Sequence, residues 1–333
     1  MTATAFSKHV LTIDCHREAG SIERCIRETV LRQFRKRGAV VALSGGIDSS
    51  VVGALCVRAL GKEHVLGLLM PEKESSTETA ALSRLIAAFL DITVIEDDIT
   101  CALEAVGCYR RRDEAIRTLI PEYGPGYTCK IVLPDLVNGS EFRFFSVVVM
   151  SPEGRSLKAR VTAGAFREIV AATNFKQRIR KVLEYYHADR VNFAVAGTPN
   201  RQEYDQGFFV KLGDGAADIK PIAHLYKTQV YQMASFLGIP AEIRNRLPTT
   251  DTYSMEQSQE EFFFSVPYDT MDICLYGKNN GISAADIASA TDLTDVQVGR
   301  IYRDIDRKRR ATQYLHAESV LVEAVDEIRR GPG

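Results

Sequence analysis

Apolar residues between positions 20 and 37 fall at Ile22, Cys25, Ile26, Val30, Leu31 and Phe34, a spacing that predicts one face of a helix stopped by Gly38. The period then changes. "AVVALS" is a short apolar run rich in β-branched residues, as expected of a strand covered on both sides. "SSVVGALCVRALG" returns to helical character, "HVLGLLMP" predicts a second covered strand, and "SSTETAALSRLIAAFL" predicts a helix with Ser75 or Ser76 as cap. "DITVIEDD" is a third strand. Strands alternating with helices across short links predict a doubly wound parallel sheet with helices on both faces, an α/β fold.

That rhythm breaks after Asp97. Residues 106–120 have a helical pattern, and "IPEYGPGYTCK" is turn-rich. Residues 141–162 predict two strands joined at Pro152-Glu153-Gly154, a β-hairpin. A helix near 164–187, the strand "NFAVAGT" and the helix "YKTQVYQMASFLG" resume the alternation. Together the chain is expected to form one domain over 1–333, with an insertion at 106–165 and a helical C-terminal extension at 276–333.

Composition narrows the function. A net charge of −1 provides no global field for nucleic acid or an anionic membrane, so neither is expected as a partner. No apolar run approaches the roughly 18 residues of a membrane span. The seven cysteines (15, 25, 56, 101, 108, 129 and 274) form no CxxC pair, which suggests reduced thiols and a cytoplasmic location.

The stretch "VVALSGGIDSSVV" carries the first candidate chemistry. Strand, glycine turn and helix together aim backbone N–H groups and a helix N-terminus at an anion. Ser44, Gly45, Gly46, Ser49 and Ser50 would line that cradle. It is neither a Walker A loop nor GxGxxG, because no lysine follows the glycines and their spacing differs. Asp48 at its mouth would repel phosphate unless a cation lies between, and Mg²⁺ would resolve the conflict. The alternative is a plain turn with Asp48 as helix cap.

SGGIDSS resembles the signature of the ATP pyrophosphatase (PP-loop) superfamily, whose members cleave ATP to AMP and pyrophosphate. "GTPNRQEYDQGFFVKLGDGAADIKPIAHLYKTQV" is similar to its NAD synthetase branch. That branch carries GT-x-N-x-x-E, G-[FY]-x-x-K-x-GDG-x-x-D-x-x-P and L-x-K-x-Q-V. "NFKQRIRKVLEYY" matches its N-x-x-x-R-x-R helix, and "PTTD" and "YDTMD" resemble two further segments. The likeness spans roughly residues 20–105 and 170–275. It implies an adenine nucleotide alpha hydrolase-like fold, ATP as substrate, Mg²⁺ held by Asp48 and Glu203, and a homodimer.

Site roles follow from the same resemblance. ATP is expected against the cradle together with Met70, Arg178, Thr198 and Lys227. The acid substrate is expected against Asn174, Arg180, Lys211, Asp214, Asp218, Arg246 and Thr249, with Lys211 also neutralising charge on the phosphates. Simpler readings stand beside these: Glu203 as a helix-start charge, Lys211 as a solvated lysine, Asp214-Gly215 as a turn. Arg178 and Arg180, two apart, point to different helix faces.

The implied reaction is ATP-dependent amidation. A carboxylate of nicotinic acid adenine dinucleotide is adenylated, and ammonia displaces AMP to leave NAD⁺. Three departures leave the acceptor acid open. The segment between Asp97 and Asn174 is far longer than a short βα connection, and relative to the family it resembles an insertion of about 40–50 residues. The family's lysine before P-[ST]-x-D is Arg246 here or is displaced, and "QSQEEFFFSVPYD" replaces an Asp-Glu-x-x-Leu-Gly run. Amidation of another carboxylate, such as a sugar uronic acid, or a silent nucleotide-binding regulator are the alternatives. With the synthetase-like part starting near residue 20, a glutaminase domain is not expected within these 333 residues. Nitrogen is therefore expected as free ammonia or from a separate glutaminase partner.

Overall fold

The computed structural model describes residues 6–133, 144–249, 252–323 and 325. Its central parallel sheet has the order β3-β2-β1-β7, with β1 Ala39–Ala42, β2 Val65–Leu69, β3 Thr93–Glu96 and β7 Ala194–Ala196. Alternate side chains leave opposite faces of each strand. Ala39, Val41, Val65 and Leu69 pack against helices α1 (Cys15–Arg27), α2 (Ile47–Leu60) and α3 (Thr77–Leu90). Val40, Leu66, Leu68 and Val195 pack on the other face with Ile99, Leu103 and Cys108, from the short helices α4 (Thr100–Ala105) and α5 (Cys108–Arg117) and their approach. The long helix α6 (Ala163–Val191) joins them there. Burial on both faces explains why these strands are continuous apolar runs.

The first helix starts earlier than its apolar spacing predicts, at Cys15, because the Asp14 side chain accepts from Arg17 N and caps it. Its buried stripe is Ala19, Ile22, Ile26 and Val30, whereas Cys25, Leu31 and Phe34 are exposed. Gly38 is not its stop. A Cβ there would lie 2.2 Å from the His64 carbonyl oxygen, so glycine permits the close approach that starts β1.

The hairpin forms, with β5 (Ser146–Met150) antiparallel to β6 (Ser156–Arg160) and Gly154 at φ +82° in the turn. It is part of a larger unit. Residues expected in a loop supply β4 (Thr128–Val132), making a three-stranded sheet β4-β5-β6. Only Cys129 and Ile131 of β4 turn inward, too short an alternation to stand out beside the Gly-Pro-Gly turn. Residues 141–143 of the predicted hairpin lie outside the described residues. The inner face of this sheet packs on Ala115, Ile116 and Ile169, from α5 and α6.

Beyond β7 come α7 (Arg201–Gln206), α8 (Lys227–Phe236), α9 (Ala241–Arg244), α10 (Tyr268–Asn279), α11 (Ala284–Ser289) and α12 (Asp295–Thr312). Met271, Leu275, Ile287, Val298 and Ile301 form a core shared by α10, α11 and α12, whereas Val230, Met233 and Ile243 of α8 and α9 join the sheet core. The expected extension is helical through Thr312; residues 324 and 326–333 lie outside the described residues. Among the described residues, no helix is long and apolar enough to cross a membrane.

Candidate active site

Chain order reverses at β1, whose neighbours are β2 and β7. In open parallel sheets, ligands collect at such a switch point, beyond the carboxyl ends of the strands. The turn Ser44-Gly45-Gly46 leaves β1 there and opens α2. Gly45 has φ +71°, and a Cβ on it would sit 2.8 Å from both Leu82 Cβ and Ser83 N. Both facts require glycine. The turn then ties itself down: Gly46 N donates to Ser44 Oγ (3.3 Å), while Ser49 and Ser50 hydroxyls donate to the Gly46 carbonyl (3.0 and 2.8 Å). Ser50 is fully buried, so its role is to hold the turn.

From the opposite side of the switch point comes α7, capped by Asn200. Asn200 Oδ1 accepts from Glu203 N (3.2 Å), and Glu203 Oε2 accepts from Asn200 N (3.1 Å), a capping box. Asn200 Nδ2 donates to Asp48 Oδ1 at 3.0 Å, and the buried Lys227 ammonium pairs with Asp48 Oδ2. Gln259 Nε2 donates to Glu203 Oε1 at 3.0 Å. Burial first, and the Asp48 charge second, push the Glu203 carboxyl up to about 8. Burial works against the Lys227 ammonium, but Asp48 and Glu203 outweigh it and raise its pKa.

Asp272 anchors this arrangement from behind. Fully buried, it accepts from Thr228 N (2.6 Å), Lys227 N (3.2 Å) and Gln202 Nε2 (2.7 Å), fixing the first turn of α8 and, through Gln202, α7. Burial raises its carboxyl to about 6 despite those donors.

A cavity of about 490 Å³ occupies the switch point. Of the residues expected at ATP, Ser44, Gly46, Asp48, Ser49, Met70, Thr198 and Lys227 line it, with Glu203. Asn174, Arg180, Asp214, Arg246 and Thr249, expected at the acid substrate, line it as well. Asp214 is also a turn former, since Oδ1 accepts from Val210 N at 2.7 Å. Arg246 donates to Thr79 Oγ1 at 3.0 Å.

Five expected residues do not line the cavity: Gly45 and Ser50 lie behind it in the turn, and Lys211, Arg178 and Asp218 are placed elsewhere. Lys211 turns its ammonium to the carbonyl oxygens of Tyr314 (2.8 Å) and Ala317 (2.9 Å), in the turn after α12. Arg178 Nε lies 3.4 Å from the Lys211 carbonyl, outside the cavity. Asp218 is spent on β7 and α6, accepting from Val195 N (2.7 Å) and the Tyr185 hydroxyl (3.2 Å). Conversely, Asn200, Gln259 and Asp272 belong to the site although nothing above expects them there. The N-x-x-E spacing of a capping box could have singled out Asn200, whereas nothing local marks Gln259.

This geometry sits on a chain whose residues 19–118 and 146–314 match the family model for NAD synthase. The chain belongs to the NAD synthase family. Related sequences agree. It is 54% identical to an NH(3)-dependent NAD(+) synthetase of Mesorhizobium japonicum, over 96% of this chain and all of that one. It is 56% identical to that of Rhizobium meliloti, over 97% and 96%. The Methanocaldococcus jannaschii enzyme of the same name is 34% identical over 82% and 85%. Among solved structures, an NH3-dependent NAD synthetase from Campylobacter jejuni superposes with a TM-score of 0.62 at 21% identity, covering 93% of this chain and all of that one. At that identity it supports the NAD synthase fold alone.

Proposed function

We propose that this chain is an ammonia-dependent NAD⁺ synthetase. The substrate carboxylate of nicotinic acid adenine dinucleotide attacks the α-phosphorus of ATP. The α–β phosphoanhydride breaks, pyrophosphate leaves, and an acyl-adenylate forms. Ammonia then adds to the acyl carbon; the C–O bond to AMP breaks, a proton is released, and the amide remains. One carboxylate oxygen thus leaves in AMP. The observation that carries this reading is the self-tied Ser44-Gly45-Gly46 cradle, with Asp48 beside it, facing Asn200 and Glu203 across the switch point. Sequence identity above 50% to named NH(3)-dependent synthetases favours this acid over a uronic acid.

Two facing carboxylates at the mouth of an anion cradle suit Mg²⁺, which takes hard oxygen donors and keeps phosphate oxygens among its ligands. The upward push on Glu203 by Asp48 is a repulsion that a divalent cation would relieve. Asp48 and Glu203 would hold it, and its charge would offset that of the phosphates. Asn200 and Lys227 orient Asp48, and Gln259 orients Glu203. Lys211 serves the phosphates once it leaves the Tyr314 and Ala317 carbonyls. A homodimer and a cytoplasmic setting belong to the same reading, the latter supported by the free thiols.

Incubation with ATP, Mg²⁺, ammonium and nicotinic acid adenine dinucleotide tests the reading. AMP and NAD⁺ should appear in equal amounts. ATP–pyrophosphate exchange with another carboxylate, but none with this dinucleotide, would refute it.

A further inference from the structure

One face of α6 lines the cavity along much of its length. Phe166, Val170, Asn174, Gln177, Lys181 and Glu184 recur every three or four residues and all border it. Polarity is graded along that face. The end near the β4-β5-β6 sheet is apolar, with Phe166 stacked on Phe145 (ring centroids 4.4 Å apart). The other end is an ion pair, Lys181 Nζ to Glu184 Oε2 at 2.6 Å, with both side chains 6% exposed.

Burying a charge pair is costly unless the remaining donors and acceptors are used. An ammonium has three N–H donors, and a carboxylate has lone pairs on both oxygens. Among the described residues, Lys181 and Glu184 hydrogen-bond only to each other, so each faces the cavity with capacity to spare. The pair itself carries no net charge, and the Asp214 carboxylate and Arg180 guanidinium beside it oppose one another. The pair offers an acceptor beside a donor. The ammonium is a rotor rather than a planar fork, which suits sp³ hydroxyls better than the edge of a base. We propose that the Lys181–Glu184 pair reads the vicinal diol of a ribose in this cavity. The free Glu184 oxygen accepts from one hydroxyl and Lys181 donates to the oxygen of the other. This rests on the nucleotide-ligase reading above, and the diol can belong to ATP or to the acid dinucleotide.

Calorimetric binding to the full chain separates these sources. The ligands are ATP, 2′-deoxy-ATP, nicotinic acid adenine dinucleotide, its form lacking the nicotinate-side 2′-hydroxyl, and inorganic tripolyphosphate. Wild type should bind the hydroxylated form of one ribose ligand tenfold or more better than its deoxy form, as expected for hydrogen bonds to charged groups. Glu184→Gln, and Lys181→Met combined with Glu184→Met, should lose that preference and bind tripolyphosphate unchanged. The double variant replaces a buried pair with apolar side chains of similar length, a change proteins commonly tolerate. Loss confined to the ATP arm assigns the diol to ATP; loss in the other arm assigns it to the acid substrate. No diol preference in wild type, or an unchanged preference in either folded variant, overturns the proposal. Failure of wild type to bind the dinucleotide counts against the NAD⁺ reading alone, because the ATP arm still decides the diol.

Discussion

Two loops of this molecule are expected to handle phosphate, and they are held in opposite ways. The Ser44–Gly46 turn is satisfied within a few residues of itself, through Ser44, Ser49 and Ser50, and is pressed against α3 at Gly45. The Lys211 loop is held from a distance, by carbonyls more than a hundred positions later in the chain. One is built by local chemistry; the other, under the proposed function, must give up those carbonyls before its charge can reach the phosphates. A residue's type can state what it can do, but only the tertiary contacts state where it waits.

The comparison can be broken most directly at Asp48. Asp48→Asn keeps the shape beside Asn200 and Lys227, whereas alanine would leave the Lys227 ammonium buried and unpaired. ATP–pyrophosphate exchange should fall by about 10³-fold in the asparagine variant. Exchange near the wild-type rate would remove Asp48 from the phosphate machinery. Lys211→Ala should come next, lowering exchange by about 10²-fold with little change in melting temperature, if the lysine reaches the phosphates during turnover. Unaltered exchange would leave Lys211 as a tether for the C-terminal turn.

Gly45→Ala probes the locally tied loop through stability. It forces a left-handed backbone and a close contact with Leu82 and Ser83, costing about 2 kcal/mol by denaturant unfolding. The same change at Gly154, which has open space around it, should cost less. A pH slope of comparable size tests the anchor behind the site. The native Asp272 carboxyl sits at about 6, above its unfolded value of 3.8, so the native state holds the proton more tightly. Its contribution is fully present below the unfolded value and is lost as pH rises from about 4 to about 6. Melting temperatures across that window should show this loss in wild type and a flatter profile in Asp272→Asn.

Much of the cradle was legible because its causes are local. Apolar runs bounded by glycine mark β1 and β2, and SGGIDSS marks the turn between β1 and α2. Asn200 and Glu203 share a capping box whose N-x-x-E spacing is local, although only Glu203 is among the expected site residues. Other parts were hidden because their partners come from remote segments. Gln259 reaches Glu203 from a stretch with no motif, and Asp218 is spent on Val195 and Tyr185 instead of a ligand. β4 has only two inward side chains, yet it becomes a strand because β5 supplies a partner edge. The N-terminal helix begins at Cys15 because one carboxylate caps it, a signal that apolar periodicity does not carry.

The central claim is that the cradle turns a carboxylate into an adenylate. Its most direct test follows oxygen. Nicotinic acid adenine dinucleotide labelled with ¹⁸O in the carboxylate is turned over with ATP and ammonium, and the AMP is analysed by mass spectrometry. The account predicts one ¹⁸O in the AMP phosphate for each NAD⁺ formed. Unlabelled AMP, or label in inorganic phosphate with ADP as co-product, would contradict it.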